Sequence, residues 1–364
     1  MSTNVKIIKK LGEGYEGDVL LIEKNNKPMI KKIARMPCEQ TKPDNSYSFW
    51  REISFAQFAK SRPDYFMQLV EYGIDYQCEY KKQVPALLRE RNDKKDIEKW
   101  REYQKTDCCY YLIYEPVLEG QLKDIYDKLN KQFPSRYNYE SRLFPKEFYR
   151  IGFCLLFQQL YILYELLDNN WVHRDAHSAN WMYKSVKSVN LGKYKLKCPY
   201  KLMLCDYGSI THKDYPLSDH EKKEKYSFME DRYEDIILNI MNNIAMPIFT
   251  TLIARKKFIT KKLLWGKELY DRIKKLPEAS NIKFKKITPA SKDLRNDINV
   301  NIFLSLFVLK YPTIYYEKMG IEVDKFKKYI IHYSEWEINI YTYLFNNIEN
   351  RSKLLNYLYK LSNL

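Results

Sequence analysis

The densest run of chemically useful side chains is residues 171–182, Trp-Val-His-Arg-Asp-Ala-His-Ser-Ala-Asn-Trp-Met. A carboxylate at Asp175 can take the proton of an attacking hydroxyl. Asn180, five residues later, can offer its amide oxygen to a divalent cation. A second hard oxygen donor follows at Asp206, in the triplet Asp206-Tyr207-Gly208. Asp and Gly also favour plain turns, but a strand expected on each side favours the metal reading. Near the N-terminus, Gly12-Glu-Gly-Tyr-Glu-Gly17-Asp-Val19 lacks Cβ atoms where backbone amides would approach phosphate oxygens. Glu13 and Glu16 must then point to solvent.

These groups need elements to hold them. Residues 5–11 read as a strand, 20–23 as a second and 29–33 as a third, with a turn at Asn25-Asn26-Lys27-Pro28. A glycine loop between two strands, instead of before a helix, argues against a dinucleotide-binding turn. The third strand offers Lys31 and Lys32, and alternation sends one inward. Lys31 is preferred because it shares a face with Met29 and Ile33, with Lys32 the alternative. Residues 46–61 form a helix with Trp50, Ile53, Phe55 and Phe58 at core spacing, on which Glu52 can pair with the lysine. Strands are expected at 66–74 and 109–114, separated by a charged insertion at 77–106 that includes a short helix around 95–103. Pro116 stiffens an extended crossing at 115–117, where the Glu115 carbonyl and the Val117 backbone can bind a base and Tyr114 forms a plug behind it. Beyond it the chain is mainly helical, with a long buried helix at 145–167 leading into the Asp175 loop. Strands at 181–183 and 201–205 flank a basic hairpin, and Asp235, at the start of an apolar helix, can accept amides of that loop. Residues 246–364 read as helical, with apolar helices near 300–310, 325–333 and 336–362.

In this order the residues resemble the eukaryotic-type protein kinases over about residues 5–245. The Tyr- and Asn-rich, insertion-bearing style is similar to the divergent Ser/Thr kinases of large DNA viruses. The resemblance implies an α+β fold of two lobes: a small β-rich N-lobe (1–115, with the 77–106 insertion) and a large, mostly helical C-lobe (116–364). A basic extension begins at about 246. ATP and Mg²⁺ are the implied cosubstrates and a protein hydroxyl the acceptor, of unknown identity. Asp175 takes the role of base, with Arg174 beside it suiting control by loop phosphorylation at Ser209, Thr211, Tyr215 or Ser218. Lys31 and Glu52 clamp phosphates, and Asn180 and Asp206 hold the metal. Leu11, Gly12, Gly14, Gly17, Val19, Glu115, Val117 and Met182 surround the nucleotide.

Two departures open other readings. His177 stands where Ser/Thr kinases carry Lys, as it often does in small-molecule kinases of the aminoglycoside and choline type, and residues 209–231 lack Ala-Pro-Glu. A small-molecule kinase is therefore the second expectation. A pseudokinase binding module is the third.

Composition bounds the rest. A net charge of +16 favours anionic partners. Between Arg255 and Arg295, fourteen Lys and Arg against four Asp and Glu mark that stretch as the candidate face for an acidic partner or nucleic acid. Its aromatic residues read better as helix cores than as base-stacking platforms. Seven Cys without a CxxC pair, and five His, make no metal array and suggest reduced thiols. No secretory leader and no apolar run near ~18 residues is apparent. A soluble protein of the cytoplasm is expected, in a host cytoplasm or virion if viral.

Overall fold

Strand alternation organises the first part of the chain, a five-stranded antiparallel sheet in the order β1-β2-β3-β5-β4. The strands are β1 (Val5–Glu13), β2 (Gly17–Lys24), β3 (Lys27–Met36), β4 (Gln68–Asp75) and β5 (Cys108–Glu115). Asn25 and Asn26 join β2 to β3 with φ of 53° and 59°. That handedness suits a two-residue hairpin, and Asn tolerates it. Helix α1 (Ser48–Lys60) covers one sheet face, with the Phe49 ring 4.7 Å from Tyr110. The register Ile30↔Tyr114, Lys32↔Leu112, Ala34↔Tyr110 puts these six residues on the α1 side. Met29 and Ile113 face the other way, where they cluster with Ile22, Leu20 and Tyr111.

The structure is a computed structural model that describes residues 5–13, 17–78, 97–98, 101, 105–132, 146–218, 222, 232–252, 266–286, 298–321, 323–326 and 332–363. Most of the expected 95–103 helix lies outside them, as do residues 255–265 and 287–295 of the basic 255–295 stretch. The chain is mixed α+β and forms two units. One comprises Met1–Glu119, Met203–Ile210 and Asp214–His220, and the other Gly120–Leu202, Thr211–Lys213 and Glu221–Leu364. The sequence had set its boundary at 115, whereas the first unit continues to Glu119 and includes two later stretches.

The second unit contains β6 (Gly120–Gln121), α2 (Leu122–Gln132), α3 (Lys146–Asp168), β7 (Trp171–Val172) and β8 (Trp181–Ser185). The basic excursion is the hairpin β9 (Val189–Leu191) and β10 (Tyr194–Leu196); β11 (Tyr200–Leu204), whose last two residues belong to the first unit, and β12 (Thr211–His212) follow. The remaining helices are α4 (Glu234–Leu252), α5 (Gly266–Ile273), α6 (Ile298–Lys310), α7 (Pro312–Met319), α8 (Val323–Phe326), α9 (Glu335–Asn346) and α10 (Arg351–Leu361). The single helix expected at 336–362 is thus two, because Asn350 caps a new start by accepting from the Lys353 amide.

Helix α3 is apolar on all sides and therefore central, packed by α4 and α10. It corrects one expectation: among the described residues it is long and apolar enough to cross a membrane. Yet 83% of that apolar window is buried inside the unit. Its two buried glutamines are satisfied. Gln158 accepts from Leu202 N at 2.9 Å and donates to the Tyr200 carbonyl at 3.0 Å, while Gln159 donates to Asn239 at 2.5 Å.

The cysteines are also corrected. Cys108 and Cys109 are adjacent on β5 and so point to opposite faces. Cys108 bonds to Cys38 just after β3, and Cys109 to Cys78 just after β4, with Cα atoms 5.2 Å and 5.5 Å apart. Cys154, Cys198 and Cys205 are thiols. The bridges span 70 and 31 residues, and closing such loops stabilises by about 4 kcal/mol each in the chain-entropy view. Peptide mapping without reductant should link Cys38 to Cys108 and Cys78 to Cys109, and reduction should lower the Tm by roughly 5–10 °C. Cleanly alkylated thiols at all seven positions in the native protein would contradict both pairings.

Candidate functional site

Each unit carries its own group of polar residues. In the first, Lys32 on β3 reaches Glu52 Oε2 at 3.1 Å and Asp206 Oδ1 at 3.0 Å. The expected partner was Lys31, with Lys32 as the alternative, and the pair forms with Lys32. Both sheet faces carry apolar residues, so Met29 and Ile33 mark the side of the smaller cluster, and α1 covers the other. Lys31 instead lies over the Tyr111 ring, 4.8 Å from its centroid. Half-burial holds its pKa below the ordinary lysine value, with nearby Glu71 opposing.

Glu52 is buried, with only 1% of its side chain exposed. Lys32 serves one of its oxygens. The other accepts from the Tyr114 hydroxyl at 2.5 Å, a bond missed by the sequence reading, which saw Tyr114 as a plug. Burial, reinforced by the Glu52 charge, raises the Tyr114 pKa well above its ordinary value, so the phenol stays a donor. Neighbouring Arg51 is buried as well. Its guanidinium donates to the carbonyls of Asn45 (2.6 Å), Ser46 (3.3 Å) and Pro216 (2.8 Å), fixing α1 to the stretch after Asp206.

Asp206 adopts left-handed backbone, φ 58°, and its side chain is half exposed. Asp tolerates that region better than most residues. The Tyr207 ring is fully buried, 4.5 Å from Phe55 of α1, and its hydroxyl donates to the Leu204 carbonyl at 2.6 Å. A Cβ on Gly208 would stand 3.2 Å from Lys32 Nζ, so glycine leaves room for the ammonium. Gly17 has a structural reason of its own, since a Cβ there would lie 2.2 Å from the Ile33 carbonyl oxygen. Leu11, Gly12, Val19, Glu115 and Val117 belong to this unit, with Leu11 and Val117 partly exposed. Gly14 lies outside the described residues.

In the second unit the 173–180 loop is held from beneath. Asp235, at the start of α4, accepts from the Arg174 amide at 2.7 Å and the Ala176 amide at 3.0 Å, as the sequence had suggested. Asn239, one turn later, donates to the Ala176 carbonyl at 2.9 Å, and Trp181 Nε1 donates to it at 3.1 Å. Arg174 itself has φ 67°, a conformation that these bonds maintain. Asn180 donates to the Asp175 carbonyl at 2.8 Å, which orients its amide. His177 Nδ1 accepts from the Ala179 amide at 3.1 Å, setting the ring proton on Nε2, which lies 3.6 Å from Asp175 Oδ1. Met182 is half-buried on β8. Asn239 and Gln159 were not picked out from sequence: a polar residue on an apolar helix gives no sign of which carbonyl it serves.

Comparison of the chain with models of known protein families returns no match, nor does comparison with curated proteins.

Replacing Asp235 by Ala leaves two buried amides without their acceptor, at a cost of roughly 3 kcal/mol. Asp235→Asn, which keeps one acceptor oxygen, should lose less. Urea unfolding monitored by tryptophan fluorescence measures both, and equal stability of Asp235→Ala and the parent would contradict the assigned contacts.

Proposed function

We propose that this chain is an ATP- and Mg²⁺-dependent phosphotransferase with the bilobal arrangement of protein kinases, and that it transfers the γ-phosphate to a Ser or Thr hydroxyl of a protein. The observation that carries the reading is the meeting of Lys32, Glu52 and Asp206, far apart in sequence, at 3.0–3.1 Å. A lysine held by a buried carboxylate is oriented to bind phosphate oxygens, and Gly208 leaves its ammonium uncrowded. In the other unit, bonds to Asp235 and Asn239 hold the backbone at Ala176, next to Asp175, the carboxylate to which the reading gives the hydroxyl proton.

Each unit carries a hard oxygen donor of the kind Mg²⁺ takes: Asp206 in the first has a carboxylate and Asn180 in the second an amide oxygen. Among the described residues no three His, Cys, Asp or Glu cluster as a complete cage. An ion that completes its shell with water and phosphate does not need one. Mg²⁺ carried in with the nucleotide would neutralise phosphate charge. The residues' own parts are to hold phosphates (Lys32, fixed by Glu52), to accept the proton (Asp175) and to orient that loop (Asp235, Asn239).

One observation favours a second reading, a small-molecule acceptor. His177 stands 3.6 Å from Asp175, where a Lys would suit a protein kinase better. ATP turnover on a panel of amino alcohols and sugars, with no protein labelled, would decide for it.

The test is transfer of labelled phosphate from ATP to the chain itself or to a basic test protein. Asp206→Ala should abolish it. Lys32→Met should lower the rate by about 10²–10³, and Asp175→Asn by about 10²–10⁴. Lys31→Met should stay within roughly threefold, because that ammonium sits on the other face. Comparable losses at Lys31 and Lys32, or no nucleotide-dependent transfer by the parent, would sink the reading.

A further inference from the structure

Glu52 presents an unusual demand. Its carboxylate is almost fully buried, and Lys32, itself only 14% exposed, contacts only one of its oxygens. A buried charge left with an unmet oxygen is costly and would turn toward any donor it could reach. The donor present is Tyr114, at the end of β5 and paired in register with Ile30. Its ring is enclosed, edge-on to Tyr207 at 6.1 Å, so the hydroxyl comes from a fixed direction. Tyr207 packs in turn on Phe55, one helical turn after Glu52 on α1. Carboxylate, phenol and helix are thereby locked together.

We propose that Tyr114 is a positioning residue, whose hydroxyl fixes the Glu52 carboxylate so that Lys32 is presented to the phosphates of a nucleotide. The inference rests on the phosphotransferase reading and adds to it a determinant of phosphate affinity that acts two residues away from the ligand. Without the hydroxyl, one Glu52 oxygen loses its donor and the carboxylate rotates to share Lys32 differently. The ammonium then no longer points at a constant place. The ring, which would back the base, is preserved in phenylalanine. The effect must therefore fall on phosphates and spare the nucleoside.

The experiment compares Tyr114→Phe with the parent full-length chain by calorimetric titration with Mg-ATP and, separately, with adenosine, and by steady-state transfer kinetics. Expected are a Kd and KM for ATP raised about tenfold, equivalent to ~1.4 kcal/mol, with the adenosine Kd and the acceptor KM unchanged. A purely structural role would instead weaken both ligands together, or lower only the active fraction at constant KM. Either result overturns the proposal, as does an unchanged ATP Kd. If Tyr114→Phe does not fold alone, it is compared in a Glu52→Gln background, where no buried charge needs the hydroxyl. There the second change should alter ATP affinity by less than about twofold, since residues acting through one group are not additive. A further tenfold loss in that background would overturn the proposal. Failure of the parent to bind Mg-ATP at all would be a different result, counting against the phosphotransferase reading itself.

Discussion

One buried negative charge governs the first unit. The Glu52 carboxylate sits where water cannot solvate it, so its neutralisation must come from the chain. That requirement fixes three things together: which β3 lysine turns toward α1, how α1 lies on the sheet, and where Asp206 emerges beside them. Removing any one partner leaves a charge in a low-dielectric setting, where the penalty is several kcal/mol. The aromatic contacts of Phe49, Phe55, Tyr110 and Tyr207 hold the helix to the distances that the ion pair needs. Packing and electrostatics support one another here.

The second unit solves a different problem. Its 173–180 loop has too little regular structure to satisfy its own amides, and buried amides need partners. Asp235 and Asn239 provide them from one face of α4, and Gln159 on α3 braces Asn239 in turn. The result is a loop kept in an uncommon backbone conformation at Arg174 by side chains that come from helices. Asp175 and His177 stay about half exposed on it. Around Glu52 side chains hold side chains, whereas around the 173–180 loop they hold backbone.

Much of this was legible beforehand. Strand alternation and turn residues announced the sheet up to β5, and apolar periodicity announced α1 and α3 to within two or three residues. The motif spacing picked out Glu52 and Asp206, which meet at Lys32, and the start of an apolar helix picked out Asp235, which accepts amides of the 173–180 loop. The lysine was misassigned for a definite reason. A sheet that is apolar on both faces gives alternation without saying which face the helix will cover. The disulfides were invisible for another: pairing partners 70 and 31 residues apart leave no local pattern.

Local rules, then, were sufficient wherever the physics itself is local: the hairpin handedness of Asn25-Asn26, the alternation of strands, the burial of an all-apolar helix. Tertiary packing alone decided which of two adjacent lysines meets Glu52, that Tyr114 donates to the same carboxylate, that Arg51 holds Pro216, and which cysteines join. Each of those outcomes depends on distances between residues remote along the chain, and only the folded backbone sets such distances.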